Sequence, residues 1–551
     1  MTELTPVEKI KSESRGLRGT IAHGLADPTT GGLADDDAQL VRLHGSYQQD
    51  DRDIREERRL QKLEPLWRFM VRLRLPGGVC TPAQWLAIDS IARRYANESI
   101  RLTTRQTFQF HGIAKGDMKA SMAAMNAELM DTIATCGDVN RNVIASSNPV
   151  ESPAHLEVAE LAQRLSEHLL PKTRAYHEIW LDGEKLEGTP EVEPLYGKSF
   201  LPRKFKTAIA VPPSNDVDVL AHDLGFIAIV EQGRLVGFNL TVGGGLGATH
   251  GDPKTFPRLA DVAGFLPVEA VLGVAEAVMT TQRDFGDRTS RKHARLKYTI
   301  ADRGLAWFIA EVEKRSGVTL GPARPYAFTS NSDRFGWQQG FDGRWHRTLR
   351  VPAGRIADRY DQPWLTGWRE LARIHRGDFR VTANQNATVA DVAEADRATI
   401  DAVIAQYRLD AAEHGAAVRR DALACVSMPT CPLAMAEAER YLPQLLGKLE
   451  TLLENHGVAD VPLSLRVTGC PNGCARPYLA EIGLIGKAPG RYNLHLGGDA
   501  RGERLNVLYR ENLDEAAILA ELDVMFAGFA AAREPDERFG DYLWRTGMPA
   551  A

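Results

Sequence analysis

The segments RLPGG (74–78) and IRLTTRQTF (100–108) recur in altered form as RVPAG (350–354) and FRVTANQNAT (379–388). A second pair, FNLTVGG (238–244) and YNLHLGG (492–498), extends the duplication. Self-similarity at a nearly constant offset of about 250 to 280 residues indicates a repeated structural unit. The chain therefore predicts two homologous halves related by a pseudo-twofold axis.

Each half alternates strands, helices and glycine-rich connections, which predicts an α+β fold. A chain of 551 residues is too long for one hydrophobic core, so several domains are expected. Cofactors often bind on the axis between such halves.

Composition excludes several classes of function. A formal net charge of −5 gives no general basic field, which argues against nucleic acid as a partner. No apolar run approaches the roughly 20 residues that a membrane span needs, so no membrane is expected. The sequence MTELTPVEKIKSESRG has neither a secretory nor an organelle-targeting pattern, and we expect a cytoplasmic protein.

Four of the six cysteines fall into two close pairs, C-x5-C (Cys425, Cys431) and C-x3-C (Cys470, Cys474). Four thiolates can bind zinc or an iron–sulfur cluster, and C-x5-C is loose for a zinc knuckle. The spacing favours a cluster, while zinc and unliganded thiols stay open as alternatives. Residues 433–446 after Cys431 predict a helix, with the cysteine near its N-terminus.

Polar residues alternate along IRLTTRQTFQFHG, which we interpret as one strand with a polar face. Its members are Arg101, Thr103, Arg105, Thr107, Gln109 and His111. A sheet with one solvated face explains such a pattern. A matching polar row in the second copy favours instead a large anionic ligand between the halves.

Further cations stand at two-residue spacing or in basic runs. They are Arg72 with Arg74, Lys204 with Lys206, Arg141, and the group Arg291, Arg295 and Lys297. Each set alone is typical of a salt-bridged surface. The glycines of VGGGLGA (242–248) precede no helix, so a nicotinamide site is not expected there. If the protein needs a nicotinamide as its electron source, another chain must supply that site.

The chain resembles the sulfite and nitrite reductase family, and within it the siroheme-containing subunits of NADPH-type assimilatory sulfite reductases. The motifs that carry the resemblance are HGSYQQDDRDIR, SIRLTTRQTFQFHG, DVNRNV, LPRKFKT, GFNLTVGGGL, ACVSMPTCPLAMAEAER and VTGCPNGCARPYLAEIGL. The resemblance implies six-electron reduction of sulfite to sulfide.

The resemblance also implies the cofactors and their ligands. A 4Fe–4S cluster would bind to Cys425, Cys431, Cys470 and Cys474, with the Cys474 sulfur also axial to the siroheme iron. The siroheme carboxylates and pocket would involve Arg101, Arg105, Gln109, His111, Arg295 and Lys297, with Asn472 close to the cluster. The substrate cage would be Arg72, Arg141, Lys204 and Lys206.

The implied fold has three lobes around the pseudo-twofold axis. We expect an arm and first strand at 1–75, two halves of a ferredoxin-like siroheme domain at 76–146 and 346–421, and two repeat domains at 147–345 and 422–551. The implied electron donor is an NADPH-dependent flavoprotein. Alternatives are a nitrite reductase, a ferredoxin-dependent sulfite reductase, and a non-catalytic electron-transfer or zinc-stabilised protein. Nitrite reductases of the family tend to carry asparagine at the place of Lys206, so the lysine favours sulfite over nitrite.

Overall fold

The computed structural model describes residues 4–147, 151–173, 175, 193–359 and 362–547. Strands are numbered in chain order as β1 (Ser46–Asp50), β2 (Trp67–Arg72), β3 (Val79–Cys80), β4 (Ser99–Leu102), β5 (Phe108–Ile113), β6 (Ile144–Ala145), β7 (Thr207–Ala210), β8 (Leu224–Glu231), β9 (Arg234–Val242), β10 (Asp261–Leu266), β11 (Gly336–Gln339), β12 (Trp345–Leu349), β13 (Arg355–Arg359), β14 (Gln362–Pro363), β15 (Asp378–Val381), β16 (Ala387–Val392), β17 (Ala422–Ala424), β18 (Leu465–Thr468), β19 (Ile482–Ala488), β20 (Arg491–Leu496) and β21 (Val507–Leu513).

The α-helices of the described residues lie between and around these strands. In chain order they are Pro6–Glu13, Ile21–Ala26, Asp35–Leu40, Arg55–Leu60, Pro82–Tyr95, Met118–Ala127, Pro153–His168, Val271–Phe285, Leu296–Arg303, Leu305–Ser316, Trp364–Ile374, Arg397–Tyr407, Leu442–Asn455, Glu515–Ala532 and Phe539–Arg545. Across the described ranges, no helix is both long and apolar enough to span a membrane.

Two of the four sheets are built by strand exchange between the halves. One sheet has the order β1-β2-β5-β4-β13-β14, and another has β11-β12-β16-β15-β3. Strand β13 belongs to the second half but pairs with β4 of the first, and β3 of the first half pairs with β15 of the second. The predicted pseudo-twofold repeat is thereby confirmed, and neither half completes its sheet alone.

The glycines of the two repeated turns permit this exchange. A Cβ on Gly78 would lie 2.3 Å from the Val381 carbonyl oxygen, and a Cβ on Gly354 would lie 2.3 Å from that of Leu102. Both residues have positive φ angles, 74° and 72°. Only glycine combines such a conformation with so close an approach of another backbone.

The other two sheets share one topology. In β6-β7-β8-β9-β10 the first two pairings are parallel and the next two antiparallel, and β17-β18-β19-β20-β21 follows the same pattern. These sheets are the structural counterparts of the repeated FNLTVGG and YNLHLGG segments. The pattern is that of two homologous α+β units, as the duplication predicts.

A buried ion cluster joins these two units. Asp218 and Arg476 each precede a short 3-10 helix in left-handed conformation, at equivalent places in the two repeats. The Asp218 carboxylate lies 3.0 Å from Nε of Arg476 and 2.8 Å from a terminal nitrogen of Arg466. Asn331 donates to its other oxygen at 2.8 Å. Asp218 is fully buried, so its charge is compensated by these protein partners and not by bulk water.

The prediction of one continuous polar strand over 100–112 is wrong. The chain forms the hairpin β4–β5, in which Arg101 pairs with Gln109 across the sheet. Residues 103–107 form its turn, closed by the Thr103 amide donating to the Thr107 carbonyl at 3.0 Å, with Gln106 at φ 51°. The Gln106 side chain bonds both backbone groups of Ala145 in β6, and these bonds favour the turn over an extended strand.

The N-terminal residues pack onto the body through short helices, and do not form the partly extended arm that the sequence suggests. Lys11 in Pro6–Glu13 is 1% exposed. Its ammonium group donates to Asp138 at 3.2 Å and to the Leu201 carbonyl at 2.7 Å. A buried lysine with these partners fixes the first helix beside the turn that contains Asp138.

We expect Asp218→Asn to destabilise the protein by about 3 kcal/mol, because two buried arginine charges lose their carboxylate. Asparagine tolerates the left-handed conformation, so only the charge changes. Chemical denaturation monitored by circular dichroism measures the effect. Glu394→Gln, which removes the exposed ion pair with Arg397, is the matched control and should change stability by less than about 1 kcal/mol. Equal stability of the two variants would contradict the role of Asp218.

Candidate functional site

The two cysteine pairs meet at one edge of the second repeat sheet. Cys425 directly follows β17, and Cys470 follows β18 by two residues. These strands are parallel, with Ala424 paired to Val467. Carboxyl ends of adjacent parallel strands lie side by side, which places the two loops next to each other.

The four thiols interact electrostatically with one another. Cys470 is buried, Cys425 and Cys431 are half-buried, and Cys474 is exposed. Burial and the neighbouring Cys474 raise the pKa of Cys431 to about 12, and the pKa values of Cys425 and Cys470 are raised for the same reasons. Thiolates here require a cationic partner. Among the described side chains, no three His, Cys, Asp or Glu residues are grouped as around a single metal ion.

The prediction of a helix over 433–446 is wrong in its first half. Residues 433–441 form turns, and the helix begins at Leu442. The amides of Met435 and Ala436 instead donate to the Gly469 carbonyl at 2.7 and 3.1 Å, which ties the two cysteine loops together. Arg52 also donates to the carbonyls of Cys431 and Ala434, at 3.1 and 2.7 Å. Cys431 therefore lies in a loop held by tertiary hydrogen bonds and not at a helix N-terminus.

Elements of the first half close over the second cysteine pair. The Thr104 hydroxyl donates to the Cys474 carbonyl at 3.0 Å, and the Ala248 amide donates to the Pro471 carbonyl at 2.9 Å. Gly247 lies so near Asn472 that an added Cβ would be 3.3 Å from its carbonyl oxygen. The glycine-rich loop thus contacts the cysteine loop, and no helix follows it in the described segment 249–260.

Several of the predicted cofactor-binding cations have partners within the protein. Arg101 pairs with Glu439 and donates to the Ala424 carbonyl at 2.8 Å. Arg295 forms a two-pronged ion pair with Asp223, at 3.0 and 2.7 Å. The charge of Arg101 still interacts with the thiols of Cys425 and Cys474, and that of Arg295 acts on Lys204.

Two further cations are held by neutral carbonyl groups. Lys297 donates to the carbonyls of Gly245 and Gly247 at 3.0 and 2.7 Å, and Arg105 donates to that of Thr207 at 3.0 Å. Burial, followed by the charge of a neighbouring arginine, lowers the pKa of Lys297 to about 6 and that of Arg105 to about 9. Carbonyl acceptors orient these side chains without cancelling their charge.

Lys204 and Lys206 have no hydrogen-bond or ion-pair partner for their ammonium groups among the described residues. Burial and the charges of Arg203 and Arg295 lower the pKa of Lys204 to about 7. Burial and Lys204 itself lower the pKa of Lys206 well below the ordinary value. Both side chains keep some accessible surface. An anion would relieve this repulsion.

Arg72, Arg141, Gln109 and His111 complete the predicted set. Arg72 is half-buried and Arg141 is buried, and both donate to the Thr135 carbonyl, at 3.2 and 3.3 Å. Gln109, with its amide oxygen turned to Arg72, accepts from Nε at 3.2 Å. His111 is 2% exposed, and neither of its ring nitrogens has a hydrogen-bond partner among the described residues.

The donor set fits the two groups that the sequence predicts. Four cysteines on two loops that are hydrogen-bonded to each other suit an iron–sulfur cluster, whose ligands are thiolates. The surplus of buried cations and the unpartnered nitrogens of His111 suit a large polyanionic ligand. Asn472 contacts the Cys470 sulfur through its amide nitrogen at 3.5 Å, within reach of both.

Sequence reasoning missed several residues that shape this site. They are Arg52, Asp223, Glu439, Cys136 and Arg203. Arg203 could have been predicted from the sequence, because it adjoins Lys204 in a basic run. The others act across the chain, and a single sequence carries no signal that pairs Glu439 with Arg101 and Arg355.

We expect Gly244→Ala to distort the site, because the added Cβ would lie 2.2 Å from the Leu220 carbonyl oxygen and 2.6 Å from that of His222. Such overpacking against backbone costs about 3 kcal/mol. Thermal unfolding followed by circular dichroism detects the loss. The control is Gly273→Ala in the helix Val271–Phe285, where nothing lies within 4 Å; it should leave stability unchanged or slightly raised. Unchanged stability of Gly244→Ala would show that the loop is not tightly seated.

Family models match most of the repeated architecture. A model of the nitrite/sulfite reductase ferredoxin-like half domain matches residues 67–128 and 338–407. A model of the nitrite and sulphite reductase 4Fe-4S domain matches residues 160–320. The two matches of the ferredoxin-like half domain cover the two halves that exchange β3 and β13. The prediction of an iron–sulfur oxidoreductase is confirmed by the kind of family that matches.

Curated relatives match over nearly the whole chain. The NADPH sulfite reductase hemoprotein beta-component of Myxococcus xanthus is 62% identical, over 99% of this chain and 97% of the relative. Proteins of the same name from Xanthomonas oryzae pv. oryzae and Xylella fastidiosa are 59% and 56% identical, each over 99% of this chain and 96% of the relative.

A solved structure has the same fold. The Mycobacterium tuberculosis NirA protein superposes with a TM-score of 0.79, at 24% identity, over 98% of this chain and 96% of that chain. At that identity the match speaks for the fold, and it confirms the predicted three-lobed α+β architecture. Together with the matches of domain models and whole-length relatives, it shows that the chain belongs to the nitrite and sulfite reductase family.

Proposed function

We propose that this protein is the hemoprotein subunit of an assimilatory sulfite reductase, which reduces sulfite to hydrogen sulfide with six electrons for cysteine biosynthesis. The observation that carries the proposal is the pair Lys204 and Lys206, whose ammonium groups have no partner among the described residues. We group them with Arg72 and with Arg141, whose charge acts on Lys204. The names of the 56–62% identical relatives support sulfite as the substrate.

In this proposal the cofactors are siroheme and a 4Fe–4S cluster, which together store electrons and deliver them to the substrate. The cluster would be held by Cys425, Cys431, Cys470 and Cys474, and the exposed Cys474 sulfur would also hold the siroheme. Siroheme carries eight carboxylates, which suit a cationic pocket. Its contacts are Arg101, Arg105, Gln109, His111, Arg295, Lys297 and Asn472.

The cage residues bind sulfite and supply protons. The guanidinium groups of Arg72 and Arg141 fix the oxygens of the anion through charge-assisted hydrogen bonds. Preorganised cations stabilise the negative charge that accumulates as electrons arrive. The ammonium groups of Lys204 and Lys206 donate protons from Nζ to oxygens that leave as water. Since burial and neighbouring cations lower the pKa values of both lysines, these protons are released readily.

An NADPH-dependent flavoprotein is the proposed electron donor. The glycines 243–247, whose spacing is similar to that of a dinucleotide-binding loop, precede no helix, and the relatives are named as NADPH-linked components. A separate flavoprotein subunit would provide the nicotinamide site.

We also propose that the enzyme is cytoplasmic. The domain division into segments 1–75, 76–146, 147–345, 346–421 and 422–551 is part of this proposal.

We expect Lys204→Ala combined with Lys206→Ala to lower kcat/KM for sulfite by about 100-fold or more, because the anion loses two charges in a water-poor site. Steady-state turnover with an artificial electron donor measures it, alongside siroheme and iron content. Lys198→Ala, on the exposed connection before the cage, is the control and should behave as the parent protein. Normal turnover in the double variant, with cofactors present, would refute the cage.

Substrate choice is tested with the parent protein. Its kcat/KM for sulfite should exceed that for nitrite, and Lys206→Asn should shift the ratio towards nitrite. A parent protein that prefers nitrite would replace the proposed function with nitrite reduction at the same site.

A further inference from the structure

The turn Thr135–Gly137 accepts hydrogen bonds from both arginines of the proposed substrate cage, Arg72 and Arg141. Cys136 at its centre is fully buried, and it is a free thiol. One terminal nitrogen of Arg72 lies 3.2 Å from the Cys136 sulfur and 3.2 Å from the Thr135 carbonyl oxygen. This nitrogen carries two hydrogens, so both hydrogen bonds form at once.

Gln109 holds the opposite side of the Arg72 guanidinium. Its amide oxygen accepts from Nε at 3.2 Å and also from the second terminal nitrogen. A guanidinium has five N–H groups, and four of them are thereby used by the protein. The one that remains is available to a bound anion, and its direction is fixed by the other four.

The same turn orients Arg141. The Gly137 carbonyl accepts from Nε at 2.9 Å and from a terminal nitrogen at 2.7 Å. The other terminal nitrogen donates to the Thr135 carbonyl at 3.3 Å, so this single oxygen serves both arginines. Three consecutive residues therefore set the relative position of two guanidinium groups.

All of these acceptors are neutral. In the described parts of the chain, neither Arg72 nor Arg141 lies within ion-pair distance of a carboxylate, whereas Arg101 pairs with Glu439 and Arg295 with Asp223. A carboxylate would orient an arginine equally well but would cancel its field at the anion. Carbonyl, amide and thiol acceptors orient both side chains without an ion pair that would neutralise them.

The turn is itself immobilised at several points. The Thr135 hydroxyl donates to the Arg72 carbonyl at 3.1 Å. Gly137 has a φ of 77°, and a Cβ there would lie 2.6 Å from Cγ of Leu43. The next residue, Asp138, is paired with Lys11 at 3.2 Å and with Arg291 at 2.9 Å. The acceptors therefore stay in place whether or not an anion is bound.

We propose that the turn Thr135–Gly137 is the positioning element of the substrate cage, and that the Cys136 thiol is a positioning residue that directs Arg72 at the oxyanion. The proposal rests on the proposed function, since it takes Arg72 and Arg141 as anion-binding groups. It gives Cys136 a role that the sequence, which suggests a buried apolar thiol, does not reveal.

The test compares Cys136→Val, which keeps the approximate volume but removes the acceptor, with Cys136→Ser, which keeps an acceptor. Calorimetric titration of the cofactor-loaded protein with sulfite gives Kd, and steady-state turnover gives KM and kcat. We expect Cys136→Val to raise Kd and KM about tenfold or more, as loss of one hydrogen bond to a charged group does. We expect kcat to change less than about twofold and Cys136→Ser to stay close to the parent protein.

Cys80→Val is the matched control, because Cys80 is an equally buried free thiol in β3, which lies in a different sheet from Arg72. It should leave Kd unchanged. A parent-like Kd for Cys136→Val would overturn the proposal, as would a Cys136→Ser variant that is as weak as Cys136→Val. If Cys136→Val fails to take up its cofactors, Cys136→Ala replaces it with the same expected increase, and a parent-like Kd for that variant overturns the proposal.

The parent protein separates this proposal from the proposed function. Failure of the parent protein to bind sulfite would refute sulfite as its substrate. The same comparison of variants would then be made with nitrite, for which an unchanged Kd in Cys136→Val would refute the positioning role as well.

Discussion

The exchange of β3 and β13 between the halves is the constraint on which the site depends. Each strand completes a sheet of the other half, and Gly78 and Gly354 permit the close contact of backbones at each crossing. The halves cannot separate without leaving open sheet edges. The hairpin turns 103–107 and 382–386 are therefore held at fixed positions, and through Gln106 and Gln385 each bonds the first strand of a repeat sheet. The cysteine loops and the cationic residues lie next to these hairpin turns and the repeat-sheet strands that they contact.

The distribution of counter-charges divides the buried cations by role. Asp218, Asp223 and Glu439 pair with arginines that join elements of the fold, including two that we propose also contact siroheme. Arg72, Arg141, Lys204 and Lys206 have only neutral acceptors or none among the described residues. Leaving charges unpaired in a protein interior is unfavourable, and it persists where a ligand supplies the missing charge. The same division explains why the turn at Cys136 uses a thiol and two carbonyls where a carboxylate would bind arginine more strongly.

Much of the architecture was predictable, because the duplicated segments RLPGG and RVPAG mark both crossings of the pseudo-twofold axis. The cysteine pairs and the basic motif around Lys204 likewise stand out in the sequence. The errors arose where tertiary hydrogen bonds decide the backbone. Residues 100–112 have strand periodicity, but Gln106 binds Ala145 and turns the chain into a hairpin. Residues 433–441 have helix-forming composition, yet their amides bond Gly469. Neither partner is visible from local sequence.

The central claim is that the two repeats build one site for a thiolate-bound cluster and a polyanionic tetrapyrrole. The most direct measurement is the absorption spectrum of the purified protein, expressed in a host that makes siroheme, together with its iron, acid-labile sulfide and zinc content. The account predicts siroheme bands above a broad cluster absorption, with about five iron atoms per chain, four from the cluster and one from siroheme. A colourless protein that contains zinc, or a cluster without any tetrapyrrole, would contradict it.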